Sequence, residues 1–338
     1  MGKSMEKGYD FDDLLLVPRA SSLTSRTQVD VGKKLGTDLS LNRPIIASPM
    51  KGIVGKELII KLAKLGGIGI MHRFYPTIDE WLKDCKEIAK ETSGQFGFSI
   101  SLSNNVDWFR ALNLGAKIIC IDVANGYLGS VKDFLYNLKQ AIDAHNYDCL
   151  IMVGNVVTFL GAKALHDSGA DLIRVGIGSG QLCTTRNNTG VGYPQLTAIR
   201  NCSGYFNIHP SGIIIEKKQK IGWKVIADGG IRNSGDAVKA FAMGADAIMV
   251  GTLFGKCYES SNNGLIYGMA SRKLQEEYNH SVKSVEGTER KLEPDISLED
   301  FMDEFFFNIR SACTYLNAYN LDQLKNADWV ETGKGTIK

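Results

Sequence analysis

The sequence predicts an α/β fold of the (β/α)8 barrel class, on three observations. Eight short apolar runs recur along the chain, helix-like stretches separate them, and one short phrase repeats three times. The runs are 44–50 (PIIASPM), 67–71 (GIGIM), 95–101 (QFGFSIS), 117–123 (KIICIDV), 148–155 (DCLIMVGN), 172–177 (LIRVGI), 224–230 (KVIADGG) and 247–252 (AIMVGT). Most are nearly continuous in apolar residues rather than alternating, as expected of parallel strands buried on both faces.

Between the runs lie stretches of helical period, among them GKELIIKLAKLG, TIDEWLKDCKEIAK, SVKDFLYNLKQAIDAH, TFLGAKALHDSG and GDAVKAFAMGA. The repeated phrase is LGAKIICID (114–122), SGADLIRVG (168–176) and MGADAIMVG (243–251). Each copy reads as a helix end, a glycine that stops it, an alanine, then a buried strand. Eight β–α units in succession close into a barrel. The competing architecture is an open doubly wound sheet. It would be marked by G-x-G-x-x-G after the first strand, where this chain has KGIVGKEL instead.

The 338 residues suit one large barrel domain over 1–338, and no Pro/Ser/Gly-rich linker divides them. Two segments break the rhythm: 201–222, before the seventh run, and the polar stretch 256–300, after the eighth. A long loop on a barrel suggests an active-site lid, so 256–300 is expected to be a mobile flap. Lys and Arg number 39 against 37 Asp and Glu, so nothing electrostatic argues for nucleic acid. The seven cysteines include no C-x-x-C pair, which argues against a disulfide framework or zinc knuckle and for a reducing compartment. No leader-like segment and no apolar run of membrane-spanning length occurs, so a cytoplasmic protein without a membrane partner is expected.

In a barrel, chemistry sits at the C-terminal ends of the strands. Those ends carry Met50, Met71 and His72, Ser101, Asp122 with Asn125, Asn155, Asp228 with Gly229 and Gly230, and Gly251 with Thr252. After the sixth strand runs VGIGSGQLCTTRNNTGVGYPQ (175–195). Its glycines can bring backbone N–H groups to an anion or carbonyls to a cation, or simply make a tight turn. Cys183 is either a small buried hydrophobe or a nucleophile activated by its setting beside Thr184, Thr185 and Arg186. The other six cysteines read as core. Asp228 can accept from a ribose diol, and the glycines after the seventh and eighth strands fit the phosphate site that recurs in barrels, although an Asp-Gly-Gly turn reads equally well. Asp122 and Asn125 read either as ligand contacts or as a loop Asp and a turn Asn; His72 and Arg73 in MHRF could contact a phosphorylated cofactor, but His72 reads better as a hydrogen-bonded structural group. No zinc-spaced cluster and no G-x-S-x-G elbow is present.

Taken together these stretches resemble the IMP dehydrogenase/GMP reductase family. The resemblance spans nearly the whole chain: YDFDDLLLVP (9–18), PIIASPM, GIMHRF, CIDVANGY, GNVVT, the loop of Cys183, VIADGGIRNSGD, GTLFG, YGMAS and RSACTYLNA (310–318). HRFYPTIDEWLKDCKE runs on without the CBS pair that family dehydrogenases insert, and no Arg-Tyr pair lies between Met269 and Pro294. SVEGTERKLEP and CTTR.NTGVGYPQL instead resemble the reductase branch. The resemblance therefore implies NADPH-dependent reductive deamination of GMP, or a close relative such as dGMP, to IMP and ammonia. The alternatives are IMP oxidation to XMP with NAD, or a barrel that binds purine nucleotides without turnover.

The same resemblance assigns roles. Cys183 is the nucleophile that forms a thioimidate, and Thr185 and Glu286 protonate the leaving amine. Met50, Asp122, Ser179, Gln181, Asp228, Gly229, Gly230, Gly251, Thr252, Gly268, Met269 and Ser271 bind the purine nucleoside monophosphate. Arg73, Ser101, Asn125 and Lys283 bind NADPH, and the carbonyls of Gly178, Gly180 and Cys183 hold K+ or another monovalent cation. A homotetramer is implied. Three positions depart from the family pattern: Gln181 stands where serine is usual, Ser179 where reductases have proline, and Lys51 where aspartate follows the methionine.

Overall fold

The computed structural model describes residues 7–103, 106–206, 217–218, 220–267 and 288–333. All eight apolar runs are strands, and they close one parallel barrel. We number them β1 (Ile45–Ala47), β2 (Ile68–Met71), β3 (Gly97–Ile100), β4 (Ile118–Asp122), β5 (Leu150–Val156), β6 (Leu172–Val175), β7 (Lys224–Asp228) and β8 (Ala247–Val250). Each strand pairs with its neighbours in sequence, and β8 returns to β1 through Ile248 opposite Ile45. The (β/α)8 barrel is therefore the fold, and the open doubly wound sheet is not.

A helix follows every strand: α1 (Lys56–Lys64), α2 (Ile78–Thr92), α3 (Trp108–Asn113), α4 (Gly129–Ala144), α5 (Phe159–Asp167), α6 (Gln195–Cys202), α7 (Ser234–Ala242) and α8 (Leu298–Tyr315). Several start where a side-chain oxygen takes an otherwise unmet N–H: Thr77 for α2, Thr158 for α5, Asn233 for α7 and Ser297 for α8. The three glycines of the repeated phrase, Gly115, Gly169 and Gly244, all have positive φ, and so turn the chain from helix to strand as the sequence suggests.

The strands are buried on both faces, which explains their continuous apolar character. One core lies between sheet and helices. The other fills the barrel with Ile46, Ile68, Ile70, Ile118, Cys120, Met152, Leu172, Ile226, Ala247 and Met249. A hairpin, Lys33–Lys34 with Ser40–Leu41, brings Leu35, Leu39 and Leu41 to that inner core and closes the end where the strands begin. The opposite end is left for the loops.

The flap expected over 256–300 is described only at its base. Leu265–Tyr267 pairs antiparallel with Glu289–Lys291, a two-stranded stalk. Gly268, Met269, Ser271, Lys283 and Glu286 lie outside the described residues. Among the described residues, no helix is long and apolar enough to cross a membrane.

Candidate active site

The loop after β6 is built around small residues that allow close approaches. Gly176 has a φ of 144°, and a Cβ there would lie 2.1 Å from the Asp228 carbonyl. The loop presses directly on the turn after β7: a Cβ on Gly229 would meet Ser179 Oγ at 2.6 Å, and one on Gly230 the Ser179 carbonyl at 3.1 Å. Both glycines have positive φ. The glycines at the ends of β6 and β7 therefore form one cradle. Gly251, after β8, is held against Met50, whose sulfur would stand 2.3 Å from an added Cβ, so the ends of β8 and β1 meet in the same way. Thr252 opens the short 3-10 helix Thr252–Lys256.

Within the loop the Cys183 N–H donates to the Gly180 carbonyl at 3.0 Å, which turns the chain back on itself. The Cys183 thiol then lies 3.1 Å from Thr185 Oγ1. Thr185 begins the five-residue helix Thr185–Thr189. Cys183 and Cys149 are half-buried, whereas Cys85, Cys120, Cys202, Cys257 and Cys313 are buried. Burial pushes the thiols of Cys120, Cys149, Cys257 and Cys313 up to about 12, and those of Cys85 and Cys202 further still. The expectation of core cysteines thus holds for five. Cys149 is the correction, because it precedes β5 rather than lying within it. Gln181 is exposed at the loop's tip.

Two carboxylates face this loop from the strand ends. The Asp228 Oδ2 atom accepts from Arg174 Nε at 3.1 Å, Arg174 Nη2 at 2.9 Å and Asn155 Nδ2 at 2.9 Å. Among the described residues these donors all reach Oδ2 and none reaches Oδ1. Asp122 Oδ1 accepts from Arg174 Nη1 at 3.1 Å, and its Oδ2 lies 3.8 Å from Arg73 Nη2. Arg73 stacks over the Phe74 ring at 4.2 Å, and its Nε is buried without a partner. Ser101 Oγ is 2.8 Å from Ser103 Oγ, while Asn125 is exposed and accepts the Tyr127 N–H in a local turn.

His72 is buried, its Nδ1 accepts from the Phe74 N–H at 3.2 Å, and its ring stacks on Tyr75. Burial, with the positive charges of Lys51 and Arg73, lowers its pKa to about 3. The structural reading of this histidine is therefore the one observed.

Three residues that organise the site lie within the quoted stretches but escape a reading of strand ends. Arg174 lies inside the barrel on β6, where a charged residue interrupts the run LIRV; that interruption is the signal that could have found it. Gln195 is fully buried, and its Nε2 donates to the carbonyls of Val175 at 2.8 Å and Asp228 at 3.1 Å, joining the ends of β6 and β7. Asp10, from the N-terminal segment, accepts from Arg186 Nη1 at 2.9 Å and from the Gln195 N–H at 2.6 Å.

Met50, Asp122, Ser179, Gly229, Gly230, Gly251, Thr252 and Cys183 thus share one mouth of the barrel, with Arg73 at its β2 side. The arrangement offers a partly exposed thiol beside a hydroxyl, a glycine cradle fit for an anion, and a carboxylate oxygen open to a diol. Residues 8–337 match the family described as IMP dehydrogenase / GMP reductase domain. A GMP reductase of Caenorhabditis elegans is 33% identical, with the match covering 98% of this chain and 94% of the relative. GMP reductases of Buchnera aphidicola subsp. Schizaphis graminum, at 33%, and Shewanella halifaxensis, at 31%, each match 93% of this chain and 91% of their own.

Proposed function

The chain belongs to the IMP dehydrogenase/GMP reductase family, and from that premise we propose that it is an NADPH-dependent oxidoreductase. It converts GMP, or a closely related guanine nucleotide such as dGMP, to IMP with release of ammonia. The observation that carries this reading is the 3.1 Å contact between Cys183 Sγ and Thr185 Oγ1, made beside the Gly229–Gly230 cradle. A thiolate at Cys183 adds to C2 of the purine, and the 2-amino group leaves as ammonia to give a thioimidate. Splitting the displacement into two steps is what covalent catalysis contributes. Once Cys183 is ionised, the Thr185 hydroxyl is placed to donate toward it. Thr185, backed by Glu286, delivers the proton that the departing amine requires.

Asp228 Oδ1 accepts from the ribose hydroxyls, a contact that a 2′-deoxy substrate makes with one hydrogen bond fewer. The phosphate lies against the N–H groups of Gly229, Gly230, Gly251 and Thr252, with Ser179 and Gln181 alongside. Met50 and Asp122 flank the purine, and Gly268, Met269 and Ser271 read its edge. The NADPH half of the site is Arg73, Ser101, Asn125 and Lys283. The buried, unpartnered Nε of Arg73 supports a role in binding there. Held by these residues, NADPH would supply the hydride that reduces C2 and lets the Cys183 thiolate leave.

A monovalent cation such as K+ fits the carbonyls of Gly178, Gly180 and Cys183. The Gly180 carbonyl takes the Cys183 N–H with one lone pair and keeps another for the ion. We read 1–338 as a single barrel catalytic domain with 256–300 as its flap, acting in the cytoplasm as a homotetramer. Mixing the protein with GMP and NADPH should bleach the nicotinamide band with equimolar ammonia. Parallel arms with dGMP, with NADH, and with IMP plus NAD+ fix substrate, cofactor and direction. No turnover of any guanine nucleotide sinks the reading.

A further inference from the structure

Four charged groups form a chain across the barrel mouth: Asp228, Arg174, Asp122 and Arg73. Arg174 is its centre. The guanidinium spends Nε and Nη2 on Asp228 Oδ2 and Nη1 on Asp122 Oδ1, and Nη1 also lies 3.5 Å from Cys120 Sγ. Its side chain is 8% exposed, and Leu172, two residues earlier on the same face of β6, belongs to the inner core. Burial by itself lowers an arginine's pKa, but Asp228 and Asp122 hold this one well above its ordinary value. The cation is therefore permanent. At one end of the chain, Asp228 keeps Oδ1 for the nucleotide; at the other, Asp122 Oδ2 faces Arg73, on the cofactor side.

We propose that Arg174 is a positioning residue that couples the nucleotide half of the site to the cofactor half through its shared grip on Asp228 and Asp122. The inference rests on the assignment of the two halves given above. Its physical basis is rigidity. A guanidinium is a planar fork, so a shift of its Nη1 edge toward or away from Asp122 tilts the Nε and Nη2 edge that orients Asp228. When a ligand phosphate draws on Arg73, Asp122 loses part of its second cation and tightens on Arg174. The Asp228 carboxylate, fixed by three donors on one oxygen, follows. Inside the barrel such shifts are screened little by water. A lysine in the same place keeps the charge but is a single point without the fork, and it transmits no tilt.

The test is calorimetric binding of GMP with and without saturating NADP+, a pair that carries no hydride and cannot turn over. In the wild-type protein NADP+ should change the GMP affinity by about 5-fold or more, and GMP should change the NADP+ affinity by the same factor, as linkage requires. In Arg174→Lys each ligand should still bind alone, while the coupling factor falls toward one. Should that variant fail to fold, Arg73→Gln, which cuts the chain at its more open end, must also reduce the coupling. Absence of coupling in the wild type, or coupling undiminished in the variants, overturns the proposal. Turnover of GMP with unaltered coupling in Arg174→Lys removes this inference alone. Coupled binding without turnover removes the reductase reading and leaves the coupling standing. Failure to bind either ligand overturns both.

Discussion

The backbone N–H of Thr288 donates to the carbonyl of Leu182 at 3.0 Å. The returning arm of the stalk is thereby fastened to the residue before Cys183. Glu286 is two positions from Thr288, a distance that extended chain spans in about 7 Å. In the role proposed for it, backing Thr185 in proton delivery, Glu286 should affect rate rather than affinity. Glu286→Gln should lower kcat by about 100-fold or more with little change in KM for GMP. Steady-state kinetics decides it: a variant of unaltered kcat removes Glu286 from the chemistry.

Cys183 shares partial exposure with Cys149 alone, and burial pushes the Cys149 thiol up, which has a direct chemical readout. Burial holds the thiols of Cys120, Cys149, Cys257 and Cys313 at about 12 and those of Cys85 and Cys202 higher. At neutral pH they carry almost no thiolate, the form that alkylates. Iodoacetamide should therefore modify one cysteine in the folded protein, located at 183 by peptide mass spectrometry. Saturating GMP should slow that reaction, and Cys183→Ala should abolish both labelling and turnover. Labelling spread over several cysteines would contradict the assignment.

The eight strands were legible because burial on both faces writes itself as apolar runs; seven observed strands fall within their predicted runs, and β5 passes the end of its run by one residue, Val156. Cys183, Asp228 and the glycines after β6, β7 and β8 were legible for a second reason: the barrel puts chemistry at strand ends, so position along the chain becomes position in the site. Arg174 was not, because it lies inside the barrel below the loops and its meaning depends on partners 52 and 54 residues away. Gln195 and Asp10 were hidden for the same reason. Each is an ordinary polar residue until the fold brings Gln195 to two carbonyls and Asp10 to Arg186. Long-range hydrogen bonds leave no local spacing to read.

His72 carries a pH dependence whose sign follows from its burial. Its folded pKa, about 3, lies below the ordinary value of 6.5. Between these values the unfolded chain binds a proton that the folded protein refuses, so acid favours unfolding. Above the upper value the group contributes nothing to the pH slope; the loss grows as pH falls toward about 3. At about pH 5 it amounts to about 2 kcal/mol. His72→Asn keeps an acceptor for the Phe74 N–H and has no ring to protonate. Its urea-unfolding free energy should decline less than that of the wild type between neutral pH and pH 5. Parallel declines would show that another group carries the acid sensitivity.

Asp10 joins two parts of the loop that carries Cys183. Its Oδ2 atom pairs with Arg186, three residues after Cys183, and its Oδ1 atom takes the N–H of Gln195, the residue that clamps Val175 and Asp228. Arg186 is itself wedged between Gly178 and Gly192, each of which would place a Cβ 2.5 Å from its Cγ, and it donates to the Tyr193 carbonyl. The ion pair is more than a third exposed, so it contributes only about 0.2–1 kcal/mol to global stability. Its effect should fall on the loop instead. Asp10→Asn retains an acceptor for Gln195 and loses the charge opposite Arg186; Asp10→Ala loses both. We expect near wild-type melting for Asp10→Asn with a modest fall in kcat/KM, and a further fall of about 10-fold for Asp10→Ala, where the Gln195 N–H is left unmet at a cost of about 1–3 kcal/mol. Equal kinetics in the two variants would show that the Gln195 contact does not shape the site. Unchanged kinetics in both would detach the N-terminal segment from the reaction altogether.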